Sequence, residues 1–244
     1  MPKISIVVPL YNYENYIDDS VRSCLAQTFT DFEVVIVDDC STDGSYAKAQ
    51  AWTEKDERVR LVQQPDNKML ASTKNMGILE SKGEFIVHLD ADDILTPNSL
   101  AIRLAEFDAN PEAMMVHGRA YNFKGDNGYD WCLSNESKLT VDFKTQIHAQ
   151  GAMLRRECYD KYGLYDESLL TNSDKEMWIR LRDLIGINMV ASLEPVAFYR
   201  IHVHSMMVKR KMNKSYDQKV KKLLKNAVNM RKKEGITTNN TRFP

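Results

Sequence analysis

The stretch Phe85-Ile86-Val87-His88-Leu89-Asp90-Ala91-Asp92-Asp93 runs from apolar, strand-forming residues into three carboxylates within four positions. Carboxylates packed so closely repel, and they stay ionised together only when positive charge sits among them. A divalent cation with oxygen ligands supplies that charge, and one held by one or two carboxylates commonly also holds a substrate's phosphates. The chemistry indicated is a metal-assisted reaction on a phosphorylated molecule. Two other polar clusters follow apolar runs in the same way: Pro9-Leu10-Tyr11-Asn12 and Asp38-Asp39-Cys40-Ser41-Thr42-Asp43-Gly44-Ser45.

The elements that must carry these clusters are legible from periodicity. Apolar runs at 4–8, 32–37, 59–62 and 85–89 are nearly continuous rather than alternating. That is the pattern of strands covered on both faces, as in a parallel sheet. Helical patterns separate them at 15–27, with Ile17, Val21 and Leu25 on one face, at 45–55 and at 71–81. Strand alternating with helix predicts right-handed βαβ units and an α/β fold, a doubly wound, mostly parallel sheet with flanking helices. Ligands bind beyond the carboxyl ends of such strands, so the three clusters are expected to meet along one edge. Further along we expect a strand at 114–116, a long loop or small insertion over 122–137, and a strand at 149–154. A short helix over 155–162 ended by Gly163, a helix over 174–184, a strand at 196–201 and a frayed end at 237–244 follow.

Composition narrows the class. The chain has 244 residues, 43% of them hydrophobic, enough for a sizeable core. No apolar run approaches the ~20 residues that span a bilayer. Cys24, Cys40, Cys132 and Cys158 lack C-x-x-C spacing, which argues against a zinc site and for reduced thiols. Met1-Pro2-Lys3-Ile4 leads straight into a strand-like run with no secretory pattern, so a cytoplasmic location is expected.

The net charge of -1 conceals an asymmetry: residues 209–244 carry 12 Lys/Arg against 2 Asp/Glu, the rest of the chain 21 against 32. Within the basic end, Tyr216, Val220, Leu223, Leu224, Ala227 and Val228 recur at helical spacing, predicting an amphipathic helix over 215–233. Such a helix either docks on the acidic body or makes peripheral contact with the inner, anionic face of a membrane. No nucleic-acid recognition motif accompanies the charge, so no nucleic-acid partner is expected.

The motifs together resemble the inverting family 2 glycosyltransferases with the GT-A fold. The resemblance lies in Ile-Val-Val-Pro-Leu-Tyr-Asn at the start, Val-Asp-Asp-Cys-Ser-Thr-Asp-Gly-Ser, and Leu-Asp-Ala-Asp-Asp followed by Pro97. It continues through Gln150-Gly151-Ala152-Met153-Leu154-Arg155-Arg156, Gly163-Leu164-Tyr165-Asp166-Glu167 and Ser173-Asp174-Lys175-Glu176-Met177-Trp178. It closes with Tyr199-Arg200-Ile201-His202-Val203-His204-Ser205, so that residues 3–205 are covered in order. The domain plan implied is a catalytic domain over 1–205, with a nucleotide-binding half (1–117) and an acceptor-binding half (118–205). Residues 206–244 would then form a lid segment, with Met206 and Met207, and the basic helix.

The resemblance also implies roles. Pro9, Tyr11 and Asn12 would line the nucleotide pocket, and Ala91 would sit at the donor within the D-x-D turn. Asp39 would accept the N3–H of a uracil-type base, because an ionised carboxylate only accepts; cytosine lacks that group, so a UDP-sugar is the natural donor. Asp92 would hold Mn²⁺ or Mg²⁺, and Asp90 would face the ribose or the metal. Asp174 matches the general base that takes the proton of the acceptor hydroxyl on a glycan or lipid-linked saccharide. Asp174 would equally serve as a helix cap, and Glu176 is a rival base. His202 would be a second metal ligand or touch the diphosphate, with His204 close enough in sequence to substitute. The pattern departs at Ser173, where Glu or Gly is usual, at Met69 in place of a glycine, and at Lys74 in place of an arginine. Lys74 would still offer charge to a diphosphate, without the arginine fork.

Other readings leave weaker marks. An aspartate-dependent phosphohydrolase normally carries its Asp-x-Asp after the first strand, not the fourth. A sugar-nucleotide pyrophosphorylase needs a Gly-rich loop where Pro9-Leu10-Tyr11-Asn12-Tyr13 stands. A catalytically inactive module that binds sugar nucleotides fits the altered Met69 and Lys74.

Overall fold

Seven consecutive buried residues, Ile4–Leu10, form the first strand, β1. The structure, a computed structural model, describes residues 1–136, 139–141, 149–169, 171–203 and 214–233. The expected lid at 206–213, His204 and the end at 237–244 lie outside them.

From β1 the chain alternates as its periodicity predicts: α1 (Ile17–Leu25), β2 (Phe32–Asp38), α2 (Ser45–Lys55), β3 (Val59–Gln63), α3 (Met69–Glu80) and β4 (Phe85–His88). Then come β5 (Ile94–Leu95), α4 (Ser99–Ala109), β6 (Met115–Lys124), α5 (Tyr129–Asn135), β7 (Thr140–Val141), β8 (Ala152–Arg155) and α6 (Glu157–Tyr162). A short α7 (Ser173–Trp178) runs into a π-type turn (Ile179–Ile185), followed by β9 (Met189–Ile201) and α8 (Lys214–Lys233).

The described strands form one sheet in the order β3-β2-β1-β4-β8-β6-β9-β5, with β7 on β6. The ladders β3-β2-β1-β4 are parallel, as is the long β6–β9 pair, and β8 runs antiparallel between the two groups. Both faces are covered. Ile4, Ile6, Val8 and Ile36 pack on one side with Val21, Ala49 and Leu100 from α1, α2 and α4. Val7 and Ile86 pack on the other with Ile78, Tyr159 and Trp178 from α3, α6 and α7. Each such side chain contributes about 1.5–3 kcal/mol by leaving water. The fold is the doubly wound α/β architecture expected.

Four sequence expectations need correction. The long loop or small insertion expected over 122–137 is, among the described residues, largely regular: β6 continues to Lys124, and α5 follows. The strand expected at 114–116 is therefore ten residues long. The strand at 196–201 begins at Met189 and runs thirteen residues. Both are half-buried, with interruptions in register where β6 passes Gly118 and Arg119, so neither shows a continuous apolar run. The strand expected at 149–154 starts with a 3₁₀ turn, Ala149–Gly151, before β8.

Gly77 matters to the site because α3 lies directly on β1. A Cβ there would come within 2.2 Å of Val7 Cγ1, so only glycine lets the helix approach so closely. Helix α8 forms where the sequence predicts and lies against α7 and the π-type turn. Among the described residues no helix is long and apolar enough to cross a membrane.

Candidate active site

The carboxyl ends of β1, β2 and β4 lie side by side: Leu10 pairs with Asp38, and Val7 with His88. The polar clusters after these strands therefore share one edge. Pro9 is buried inside β1 beyond the end of the β4 ladder, where its missing N–H breaks no pairing. Tyr11 is 43% exposed, in keeping with a residue on a pocket wall. Asn12 adopts φ 55° and stitches two loops together: its Oδ1 accepts the Thr42 N–H at 2.8 Å, and its own N–H donates to Ser41 Oγ at 3.0 Å.

Asp39 is buried at the start of α3. Its Oδ1 accepts from Gln64 Nε2 and the Lys68 N–H, each at 2.7 Å, and its Oδ2 from the Met69 N–H at 3.0 Å. Burial raises the Asp39 pKa, against the opposing pull of those amides. Three donors occupy a carboxylate that can accept about four, which leaves Oδ2 room for one more. Met69 explains its own departure from the family pattern. It has φ 71°, a left-handed conformation that glycine adopts without strain.

Far apart in sequence but adjacent in space, two of the expected residues, Asp90 and Asp174, converge on a third, Lys74. This side chain is fully buried. Its Nζ donates to Asp174 Oδ1 at 2.8 Å and Oδ2 at 3.0 Å, and lies 3.6 Å from Asp90 Oδ1. Burial depresses the ammonium pKa, but the charges of Asp174 and Asp90 outweigh it and the net shift is upward. Asp90 is pushed up to about 6, chiefly by burial, with Lys74 opposing. The Tyr165 ring, 5.6 Å from Nζ, closes the pocket over the ammonium.

Asp92 and His202 form the second pair, Oδ2 to Nε2 at 2.9 Å, both at the edge of burial. The ring of Tyr16 packs 4.7 Å from the imidazole. Tyr13 faces the same turn; burial first, then the charges of Asp92, Asp90 and Asp93, raise its phenol pKa. Ala91 is wholly buried between the two carboxylates. Glu176, the rival base, points elsewhere: it is buried in a two-pronged ion pair with Arg180, both contacts at 3.1 Å. Arg180 in turn holds the Tyr162, Gly163 and Leu164 carbonyls.

Two site residues escaped the reading of the sequence. Asp93 is 1% exposed: Oδ1 accepts the Arg200 N–H at 2.8 Å and Oδ2 accepts Gln150 Nε2 at 2.7 Å. Arg200 is equally buried and donates from Nε to the Asp92 carbonyl at 2.8 Å. The available signal was a charged residue inside the apolar run 196–201, since a buried charge needs a partner.

The family model for glycosyl transferase family 2 matches residues 5–170. The chain belongs to glycosyl transferase family 2. Over 189 residues it is 32% identical to a chondroitin synthase of Escherichia coli, covering 75% of this chain and 27% of that enzyme. The chain also spans 58% of the length of a Haemophilus influenzae relative. Among solved structures, Staphylococcus aureus TarS 1–349 in complex with UDP superimposes with a TM-score of 0.66 at 17% identity, covering 92% of this chain and 65% of that one. A mannosyltransferase of Pyrobaculum calidifontis in complex with GDP-Man and Mn²⁺ gives 0.67 at 22% identity, covering 86% and 60%. These two likenesses concern the fold.

Proposed function

We propose that this family 2 glycosyltransferase moves a sugar from a nucleotide diphosphate donor, by choice a UDP-sugar, to a hydroxyl of a glycan or lipid-linked saccharide, with inversion and with Mn²⁺ or Mg²⁺. The observation that carries the reading is the placement of Lys74 between Asp90 and Asp174, which joins the carboxylate turn after β4 to a candidate base on α7. In the proposed division, residues 1–117 bind the nucleotide and 118–205 the acceptor.

Asp92 and His202 suit such an ion. Their 2.9 Å separation matches the spacing of neighbouring ligands on an octahedral cation with bonds of about 2.1 Å, roughly 3 Å. Among the described residues no three His, Cys, Asp or Glu cluster as a cation cage, so the pair would share the ion with the diphosphate and water. Once bound, the ion would stabilise the leaving diphosphate as a Lewis acid. The structural relative with Mn²⁺ supports this.

Asp174 would take the acceptor hydroxyl proton while that oxygen bonds to the anomeric carbon and the bond to the diphosphate breaks. Lys74 would hold Asp174 ionised and oriented, and offer charge to the donor. Asp39 would accept the N3–H of uracil, Pro9, Tyr11 and Asn12 would line the base and ribose pocket, and Asp90 with Ala91 would face the ribose and sugar. The TarS–UDP relative supports a uridine donor.

The test is a thermal-shift screen of UDP, TDP, GDP and their sugars with and without Mn²⁺. UDP compounds should stabilise most, and only with metal, and Asp92→Ala should remove the effect. Metal-independent stabilisation by a guanine nucleotide would overturn the donor assignment. We also propose that α8, with Lys221, Lys222, Lys225, Lys232 and Lys233 exposed, makes peripheral contact with an anionic membrane surface on the cytoplasmic side. Equal sedimentation with anionic vesicles of the chain with and without residues 209–244 would remove that part.

A further inference from the structure

Both bonds between the carboxylate turn and the end of β9 are donated by Arg200. Asp93 accepts from the backbone of residue 200, and the side chain of Arg200 donates to the backbone of residue 92. These two hydrogen bonds, one from the Arg200 backbone and one from its side chain, close a ring between the two segments. The side chains of Asp92 and His202 leave the chain beside that ring, one residue before Asp93 and two after Arg200. The β6–β9 pairing ends at Ile201, so no ladder bond orients His202.

The ring is itself anchored on every side. Arg200 donates to the carbonyls of Gly125 and Asn127, reaches Asp19 Oδ2 at 3.4 Å, and lies between the rings of Tyr16 and Phe123 at 4.8 and 4.6 Å. Behind Asp93, Gln150 is fixed through its own carbonyl, which accepts from the buried Arg103 at 3.4 Å. A carboxylate with one donor on each oxygen, and a guanidinium that donates to four oxygens, tie the two segments together.

We propose that Asp93 and Arg200 are positioning residues that hold Asp92 and His202 at the separation a divalent cation requires. The proposal rests on the reading of Asp92 and His202 as metal ligands. Groups that orient ligands from behind are worth about 10- to 100-fold in metal affinity. Asp93 is suited to this because its polarity is fixed: it accepts on both oxygens, and an asparagine would turn one N–H against either the Arg200 amide or the Gln150 amide.

The experiment measures Mn²⁺ affinity in the presence of UDP by electron paramagnetic resonance of free Mn²⁺, with folding followed by circular dichroism and thermal melting. Asp93→Asn should lose Mn²⁺ affinity by about 10- to 100-fold, and saturating Mn²⁺ should recover most of the turnover. The double variant Asp93→Asn with Gln150→Glu reverses donor and acceptor in one buried bond at constant charge and should regain wild-type affinity. Arg200→Lys keeps the charge and the amide to Asp93 but loses the Asp92 carbonyl; it should weaken Mn²⁺ binding about tenfold. It stands in for Asp93→Asn should that variant not fold. Undiminished Mn²⁺ affinity in a folded Asp93→Asn or Arg200→Lys chain, or no recovery in the double variant, overturns the proposal. If the wild type itself binds no Mn²⁺ with UDP, the metal reading fails and takes this proposal with it.

Discussion

Lys74 donates to both carboxylate oxygens of Asp174, at 2.8 and 3.0 Å, from a side chain with no solvent exposure. A buried ammonium costs several kcal/mol of lost hydration, which its two carboxylates offset. Asp174→Asn removes the proton acceptor and leaves the donor side intact. Transfer should fall about a thousandfold while stabilisation by UDP and Mn²⁺ persists. Full activity in this variant would exclude Asp174 as the base. Lys74→Met leaves Asp90 and Asp174 facing each other without a counter-ion and should cost about 3 kcal/mol in urea unfolding.

Glu176 and Arg180 lie one turn apart and fully desolvated. Glu176→Gln leaves a buried guanidinium short of its charge partner, so stability should drop by about 3 kcal/mol. The transfer rate, measured well below the melting temperature, should stay near wild type. A loss of rate equal to that of Asp174→Asn would make Glu176 the base instead.

Met69 occupies a left-handed backbone conformation at the head of α3, and its N–H still reaches Asp39. The strain of a non-glycine residue there is about 1–2 kcal/mol, against a chain-entropy cost for glycine of about 0.5–1 kcal/mol. Met69→Gly should therefore raise stability by about 0.5–1 kcal/mol, read from the urea midpoint. Met69→Val should lower it.

His88 is buried against Tyr159 and Tyr165, with Nε2 3.1 Å from the Tyr159 hydroxyl. Burial holds its pKa well below the ordinary 6.5, and the nearby Lys74 charge acts in the same direction. The unfolded chain takes up a proton near pH 6.5 that the folded chain refuses. His88 therefore adds stability above that pH, and the contribution is lost as pH falls from 6.5 towards the depressed value. His117, lowered by burial, adds to the same trend. Melting temperature should decline between pH 7 and 5.5, and His88→Phe should flatten that decline while lowering the value at pH 7. An unchanged slope in His88→Phe would assign the loss to other groups.

What the sequence made legible follows from burial. Strands β1 to β4 are covered on both faces and announce themselves as unbroken apolar runs; their ends then locate Asp39, Asp90 and Asp92. Strands β6 and β9 are half-exposed, and Asn122, Lys124 and Glu194 interrupt their pattern, so one was shortened and the other partly read as loop. The candidate site was found where a carboxylate projects from a strand end. Asp93 and Arg200 were passed over because their importance lies in a pairing across 107 positions of sequence, which no local pattern displays.

Helix α3 ends up as a ruler. Its first amides hold Asp39, Lys74 holds Asp174, and the next residue, Asn75, exchanges hydrogen bonds with Tyr165 in both directions at 2.9 Å. From Met69 to Lys74 a helix advances roughly 7.5 Å along its axis, and Gly77 pins that axis to β1. The span between the two carboxylates is thus set by rigid backbone rather than by loops. A chimaera that exchanges residues 118–205 for those of a relative will keep this span only if the incoming loop offers Asn75 the same pair of bonds.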